Sequence, residues 1–338
     1  MDIQHIAAPE AGKDYPRNWN EFLDWFGSEE ACLAYLERLR WPREFVCPAC
    51  GVSQAPYRSS RARLMCRACA RQSTVTAGTI FDKTRTPLRV WLAAAWYLTN
   101  QKQGVSALGL QRVLGLGSYQ TAWTMLHRFR RAMVRPDRDR LKGSVEVDET
   151  YLAITDREEP ISPMGRKSKT SKVLVVLAVE MLQPKGFGRI RLRRIDNDSA
   201  ECVVPFVQAS IELGAQVRTD GSAAYRALSE LGYDHQRTVM LGSDVPAHVS
   251  MAGVHRVASL VKRWVLGTHH GSVQPAHLDA YLDEFVFRFN RRTSTSRGML
   301  FYRLLQQAVV TDPVTYESVV RPLPKPVLQG QDNWMDVQ

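Results

Sequence analysis

Four of the six cysteines form two C-x2-C pairs, Cys47 with Cys50 and Cys66 with Cys69, and fifteen residues separate the pairs. Each pair can supply two thiolates to one tetrahedral zinc ion, and the segment between them is long enough to return as a hairpin. We therefore predict a zinc ribbon over residues 43–78, with these four cysteines as ligands of a structural Zn²⁺. Two chance pairs or a redox motif are the alternatives, and the repeated spacing argues against both.

The positive charge of the chain is concentrated in one block of the sequence. The chain carries 45 Lys and Arg against 34 Asp and Glu, a net charge of +11. Residues 43–142 alone contain 18 basic and 4 acidic side chains, a net charge of +14. A charge excess of this size attracts polyanions, so we interpret the block as a nucleic-acid-binding region rather than an ordinary solvated surface.

A helix-turn-helix motif is predicted inside this basic block. Residues 105–114 and 119–133 have helical spacing, and the Gly-containing segment 115–118 forms a tight turn between them. The second helix carries the mixture of polar and basic side chains that a recognition helix needs to reach base edges and phosphates. An amphipathic hairpin has the same pattern, and the local charge favours DNA binding. The candidate DNA-contacting residues are Thr121, Thr124, His127, Arg128 and Arg131.

From residue 143 the hydrophobic period changes from helical to alternating, which predicts an α/β domain. Strands are expected at 143–151, 172–182, 188–195 and 216–220, with helices at 199–213, 222–231, 253–266, 275–292 and 298–310. Asp148 lies toward the end of the first strand, and Asp220 ends a later one. Phosphoryl transfer by two metal ions requires carboxylates on a rigid frame, which these two aspartates could supply. For Asp220, which precedes Gly221, a simple turn role is the alternative.

Four motifs resemble those of bacterial insertion-sequence transposases, in the zinc-ribbon-containing ISXO-type branch of the DDE superfamily. The motifs are residues 145–151 (VEVDETY), 219–221 (TDG), 267–271 (GTHHG) and 281–292 (YLDEFVFRFNRR). The resemblance extends over about residues 20–310 and includes the cysteine quartet.

This resemblance implies an α/β RNase H-like catalytic domain, a mixed sheet with flanking helices, preceded by a zinc ribbon and a helix-turn-helix domain. Such a domain uses three metal-binding residues with Mg²⁺ or Mn²⁺. It cuts DNA at the terminal inverted repeats of the element and joins the 3′ hydroxyls to target DNA. Asp148 and Asp220 match the first two catalytic positions.

In this family the third position is variable and precedes a lysine by seven residues. Lys262 has His255 seven positions earlier, on the same face of the predicted helix, so we expect an Asp148–Asp220–His255 triad with Lys262 assisting. Since imidazole suits borderline metals better than Mg²⁺, this triad predicts more activity with Mn²⁺.

Two carboxylates compete with His255 for the third position, since the histidine pattern also fits a surface residue on a basic helix. Glu284 is the first alternative, although an ion pair with Arg288 at i+4 would explain it equally. Glu149 adjoins Asp148, but on a strand its side chain points to the opposite face.

The sequence divides into five predicted segments. They are an N-terminal helical segment (1–42), the zinc ribbon (43–78), the helix-turn-helix domain (79–142), the catalytic domain (143–310) and an extended Pro-containing tail (311–338). No apolar run reaches the roughly 18–20 residues of a membrane span, and no secretory signal is visible. We therefore expect a cytoplasmic, nucleoid-associated bacterial protein that binds no membrane.

The expected activity is transposition, with at least a homodimer assembled on DNA because two element ends must be held together. Two alternatives remain open from the sequence. One is a catalytically inactive, domesticated DNA-binding regulator, and the other is a structure-selective nuclease of the same fold.

Overall fold

The computed structural model describes residues 8–59, 62–135, 138–155, 171–238 and 250–321. The chain forms two compact units. Of the described residues, unit 1 contains those within 8–135 and 293–320, and unit 2 contains those within 138–292 together with residue 321.

The bounds of the elements are as follows, in chain order. The helices are α1 (Trp19–Trp25), α2 (Glu29–Arg40), α3 (Leu88–Asn100), α4 (Ala107–Leu114), α5 (Tyr119–Ala132), α6 (Ala200–Ser210), α7 (Ala252–His269), α8 (Leu278–Phe289), α9 (Arg297–Ala308) and α10 (Tyr316–Val320). The strands are β1 (Tyr57–Arg58), β2 (Leu64–Met65), β3 (Gln72–Ser73), β4 (Ser144–Ile154), β5 (Ser171–Met181), β6 (Phe187–Arg194), β7 (Gln216–Thr219) and β8 (Asp234–Arg237). Short 3₁₀ helices cover Ala223–Leu228 and Pro275–His277.

An aromatic cluster forms the core of unit 1. Phe301 of α9 is fully buried, and its ring lies 5.8 Å from Phe22 of α1 and 5.4 Å from Trp96 of α3. Helix α2 begins at Glu29 because the Ser28 hydroxyl accepts a hydrogen bond from Ala31 N at 3.2 Å and caps the helix. Helices distant in sequence thus share one apolar core.

The C-terminal helices of unit 1 differ from the predicted plan. Residues 293–310 were expected in the catalytic domain, yet they pack with unit 1, because the apolar face of α9 is buried against α2 and α3. Residues 316–320, expected in an extended tail, form α10, whose Val319 is buried. The rest of the predicted tail, from residue 322, lies outside the described residues.

Two sheets lie in separate units. In unit 1, β1, β2 and β3 form the small antiparallel sheet that the predicted ribbon requires. In unit 2 the strand order is β6-β5-β4-β7-β8. Strand β4 pairs antiparallel with β5 and parallel with β7, so the predicted mixed sheet is confirmed. The last strand, β8, was not predicted.

Helices cover both faces of the sheet in unit 2. On one face α6 and the 223–228 turn pack over Val145, Val147 and Val217, and on the other face α7 and α8 pack over β5 and β6. Because β5 is buried on both sides, its sequence is almost continuously apolar. Across the described ranges, none of the helices has the length and apolarity needed to cross a membrane.

Candidate zinc centre and candidate active site

The four cysteines of the predicted ribbon converge on one point. The sulfur atoms of Cys47 and Cys69 lie 3.7 Å apart, as do those of Cys50 and Cys66. All four sulfurs lie within 4.8 Å of one another. With Zn–S bonds of about 2.3 Å, a regular tetrahedron places its sulfurs ~3.8 Å apart. The quartet therefore has the dimensions of a zinc site.

The two cysteine pairs have the same backbone geometry. Gly51 N donates to Cys47 O at 2.9 Å, and Ala70 N donates to Cys66 O at 3.0 Å. Both donors have positive φ, +73° and +56°, a conformation that glycine adopts without strain and alanine does not. The backbone N–H of Cys69 is directed at Cys66 and lowers the pKa of its thiol to about 6. This favours the thiolate, which is the form that binds zinc.

The predicted pair of helices with a short turn is present in unit 1 as α4 and α5. Ser118 caps α5 through its side chain, and Gly115 ends α4 in the left-handed conformation. Among the candidate DNA-contacting residues, Arg131 is exposed and Thr121 and Thr124 are half-buried. These three residues remain available on the surface of α5.

Two of the candidate DNA-contacting residues have internal roles instead. His127 is buried, and its ring lies 4.3 Å from that of Trp123. Arg128 donates to Ile80 O at 3.0 Å, which ties α5 to a segment far back in the sequence. His127 is therefore buried rather than exposed, whereas Arg128 is half-buried and also bonds a carbonyl within unit 1.

Asp148, Asp220 and His255 lie on three elements of unit 2 that pack against one another. Asp148 lies in β4, Asp220 directly follows the neighbouring parallel strand β7, and His255 lies in the first turn of α7. Burial raises the pKa of Asp148, and the Asp220 carboxylate raises it further, while His255 acts in the opposite direction. Three elements that are distant in sequence thus place these side chains within electrostatic range of one another.

Each member of this trio has a ligand atom without a protein partner. Asp148 and Asp220 each use one oxygen to accept a backbone N–H, from Glu149 and Ser222 respectively, both at 2.9 Å. Among the described residues nothing hydrogen-bonds the second oxygen of either carboxylate. The Nε2 atom of His255 is buried, and it too has no hydrogen-bond partner there. A buried polar atom in this state is costly unless a ligand satisfies it.

The spacing of the trio differs from that of the cysteines. In the part of the chain that the structure describes, the cysteine quartet is the group of three or more ligand residues gathered closely enough for a single ion. Asp148, Asp220 and His255 are not gathered to that degree among the described residues. Lys262 lies two turns further along α7 and is exposed.

Glu149 faces away from the trio, as the alternation of the strand predicts. Its carboxylate accepts a hydrogen bond from the buried Tyr225 hydroxyl at 2.5 Å. Burial raises the pKa of Glu149 to about 7, and the carboxylates of Asp148 and Asp220 add to this shift. Glu149 therefore belongs to the packing on the α6 side of the sheet.

Glu284, the alternative third ligand, has a structural partner. It is fully buried in α8 and accepts a hydrogen bond from Arg288 Nε at 2.8 Å. The charges that shift the pKa of Asp148 include those of Asp220, His255 and Glu146. The ion pair with Arg288 gives Glu284 a structural explanation.

Two charged residues next to the trio, Glu146 and Arg218, were not predicted from the sequence. Glu146 is 1% exposed, and it bonds Arg218 Nη1 at 3.2 Å. Each residue precedes one of the aspartates by two positions on the same face of its strand. The signal available in the sequence was a charged residue, Glu146, at a strand position that should be apolar.

Comparisons with known proteins agree with the resemblance seen in the sequence. Residues 140–290 match the model of the "ISXO2-like transposase domain", and residues 27–72 match that of the "Transposase zinc-ribbon domain". A relative from Halobacterium salinarum, "Uncharacterized protein in transposable element ISH50", is 28% identical over 279 residues. The match covers 78% of this chain and 91% of that protein. The predicted resemblance is thereby confirmed for residues 27–72 and 140–290.

Solved structures give weaker matches. "Crystal structure of the Mos1 Strand Transfer Complex" is 13% identical, covering 68% of this chain and 76% of that one, with a TM-score of 0.26. "Mos1 transposase paired-end complex with left transposon end" is 14% identical, covering 68% and 77%, also with a TM-score of 0.26. At such scores the likeness supports no conclusion about fold or function.

Proposed function

Because residues 27–72 and 140–290 belong to the transposase zinc-ribbon and ISXO2-like transposase domain families, we propose that this chain is an active insertion-sequence transposase. It cuts DNA at the ends of its element and joins the 3′ hydroxyls to target DNA. The observation that carries the proposal is the meeting of Asp148, Asp220 and His255 on three elements of unit 2.

Divalent metal ions fit this trio. Two carboxylates and an imidazole are suitable ligands, and the buried Nε2 of His255 has no other partner among the described residues. When bound, Mg²⁺ or Mn²⁺ would stabilise the attacking and leaving oxygens of an in-line displacement. Because one ligand is an imidazole nitrogen, Mn²⁺ is expected to be the better ion.

The residues of the chain have separate tasks in this reaction. Asp148 and Asp220 place negative charge where the interior strand β4 runs beside the end of β7, which attracts cations. His255 completes the ligand set from α7. Lys262, exposed two turns further along the same helix, contacts a DNA phosphate close to the reacting one.

Unit 1 binds the DNA. Its zinc ribbon and α5 lie in the block with a net charge of +14, so phosphate contacts there supply most of the affinity. As a helix-turn-helix, α4 and α5 would present Thr121, Thr124 and Arg131 to the element's terminal repeats. The ribbon contributes through its structural Zn²⁺, bound by the cysteine quartet. Two ends must be paired, so the active form on DNA is a dimer or larger.

A strand-joining assay tests this function. The zinc-loaded protein is mixed with labelled DNA from the flanks of its own gene, a target plasmid, and Mn²⁺ or Mg²⁺. Asp148→Asn is compared with Asp234→Asn, which makes the same change at an exposed position of β8. Joined product in the wild type and in Asp234→Asn, but not in Asp148→Asn, is the expected result.

Two other outcomes of this assay would identify the protein as a DNA-binding regulator or as a structure-selective nuclease. Tight binding to the flanks with no joining under either metal ion identifies a DNA-binding regulator. Cleavage of branched DNA irrespective of the flanking sequence identifies a structure-selective nuclease.

A further inference from the structure

An ion pair between the buried Glu146 and the partly exposed Arg218 lies two residues before the two aspartates in the sequence. Glu146 of β4 and Arg218 of β7 are direct neighbours in the parallel register, and their side chains bond at 3.2 Å. Asp148 and Asp220 each follow a member of this pair by two positions. Since side chains alternate along a strand, the pair and Asp148 point to the same face of the sheet.

The ion pair also holds the helix that carries His255. The second oxygen of Glu146 accepts hydrogen bonds from Gly253 N at 2.7 Å and from Val254 N at 3.1 Å. Arg218 donates through Nη2 to Ser250 O at 2.7 Å, just before the helix begins. This one ion pair therefore joins β4, β7 and the start of α7.

Helix α7 depends on this carboxylate for its N-terminal cap. Its own N-cap residue, Met251, makes no side-chain capping bond, and the first turn contains no acidic residue. The first N–H groups of a helix need acceptors, and negative charge at this end is favourable. Glu146 supplies both from the sheet, and His255 directly follows the capped Val254.

The close approach of α7 to the sheet fixes the position of this first turn. A Cβ atom at Gly253 would lie 2.8 Å from the Glu146 carboxylate and 2.5 Å from Met181 Sδ. No larger residue fits between helix and sheet without a shift. The backbone beside His255 is therefore held at a set distance from the strand that carries Asp148.

We propose that Glu146 and Arg218 are positioning residues for the metal site: they hold His255 in register with Asp148 and Asp220. This inference rests on the metal-binding part of the proposed function. The pair has a role beyond folding because Glu146 caps the first turn of α7, and this turn carries the His255 imidazole.

Variants at position 146 separate positioning from general stability. Glu146→Ala removes the ion pair and the cap. Glu146→Gln removes the charge but keeps one oxygen for Gly253 N, so the variant remains useful if Glu146→Ala fails to fold. Glu180→Gln is the matched control, since Glu180 is also buried in this sheet and bonded to an arginine, Arg189, at 2.8 Å. Among the described contacts it does not cap α7.

Two measurements are made on each zinc-loaded full-length variant. The first is amide hydrogen exchange over residues 252–256 without added divalent metal. The second is Mn²⁺ affinity, with electron spin-echo envelope modulation used to detect a coordinating imidazole nitrogen. For Glu146→Gln we expect faster exchange in this turn, at least tenfold weaker Mn²⁺ binding and reduced nitrogen modulation, since lost supporting contacts typically cost metal sites about 10–100-fold in affinity. Glu180→Gln should retain wild-type Mn²⁺ affinity and modulation.

Wild-type Mn²⁺ affinity and nitrogen modulation in Glu146→Gln and in folded Glu146→Ala would overturn the proposal, as would equal losses in Glu180→Gln. A wild-type protein that binds no Mn²⁺ through His255 refutes both this inference and the proposed metal site. A wild type that binds Mn²⁺ in a Glu146-dependent way but joins no DNA refutes only the transposase function.

Discussion

Replacing Glu284 with alanine should destabilise unit 2 without weakening Mn²⁺ binding. Glu284 is fully buried in α8, and its partner Arg288 is 14% exposed, with an Nε–Oε1 distance of 2.8 Å. Removing the carboxylate leaves a guanidinium in a site with little access to water. The substitution therefore tests whether Glu284 is a structural residue or the third metal ligand.

The magnitude follows from the burial of the pair. An exposed i,i+4 ion pair contributes only about 0.3–0.5 kcal/mol. Breaking a buried pair by removing one partner costs about 3–5 kcal/mol. Glu284→Ala should lie in the second range, and the double variant Glu284→Ala/Arg288→Ala should lose less than the sum of the two single variants.

Urea unfolding monitored by hydrogen exchange over residues 278–289 measures the stability of α8 directly. Mn²⁺ affinity is measured on the same samples under native conditions, with His255→Ala as the opposite control. His255→Ala should lose Mn²⁺ affinity and retain stability. A Glu284→Ala protein that unfolds like the wild type but no longer binds Mn²⁺ would refute the reasoning and move the third ligand to Glu284.

Four further results are expected. Phe301→Ala should destabilise unit 1 by about 3–5 kcal/mol in urea unfolding, because it empties the centre of a buried aromatic cluster; a change below about 1 kcal/mol would contradict this packing. Arg131→Ala should weaken DNA binding and lower its salt slope by about 1, whereas Arg128→Ala should lower the Tm, because Arg128 holds Ile80 O. Weaker DNA binding in Arg128→Ala, with a lower Tm in Arg131→Ala, would instead assign Arg128 to the DNA interface. Elemental analysis should find one zinc ion per chain, lost in Cys66→Ser, since the four sulfurs form one site; unchanged zinc would refute the ribbon assignment. Strand joining should be faster with Mn²⁺ than with Mg²⁺, and the opposite order would argue against an imidazole ligand.

Local signals in the sequence predicted most of the fold. The cysteine spacing needs only two short knuckles and a hairpin, and Ser28 begins α2 through a bond three residues away. Strand β5 was evident because burial on both faces demands an apolar run. Each of these features depends on residues that lie close together in the chain.

Features that depend on distant segments were not predicted. Strand β8 consists of four polar residues, Asp234–Arg237, and is held by backbone pairing with β7 at the edge of the sheet. The periodicity of α5 could not reveal that Arg128 reaches a carbonyl 48 residues away. Residues 222–231, predicted as an α-helix, form a 3₁₀ helix over Ala223–Leu228 instead.

In the candidate site, too, features that depend on nearby residues were predicted and features that depend on distant segments were not. Asp148 and Asp220 were found from predicted strand ends, although β4 continues past Asp148 to Ile154. The choice of His255 required a family resemblance, since its local pattern also fits a surface histidine. The role of Glu146 was invisible, because the helix turn that it caps begins 107 residues later. Its burial is explained only when β4, β7 and α7 are assembled.

The central claim is that His255 binds a catalytic metal ion together with Asp148 and Asp220. The most direct measurement is electron spin-echo envelope modulation of Mn²⁺ bound to the zinc-loaded protein, in the wild type and in His255→Ala. We predict nitrogen modulation from a coordinated imidazole in the wild type and none in His255→Ala. Modulation that persists in His255→Ala, or that is absent from Mn²⁺-loaded wild type, would contradict the account.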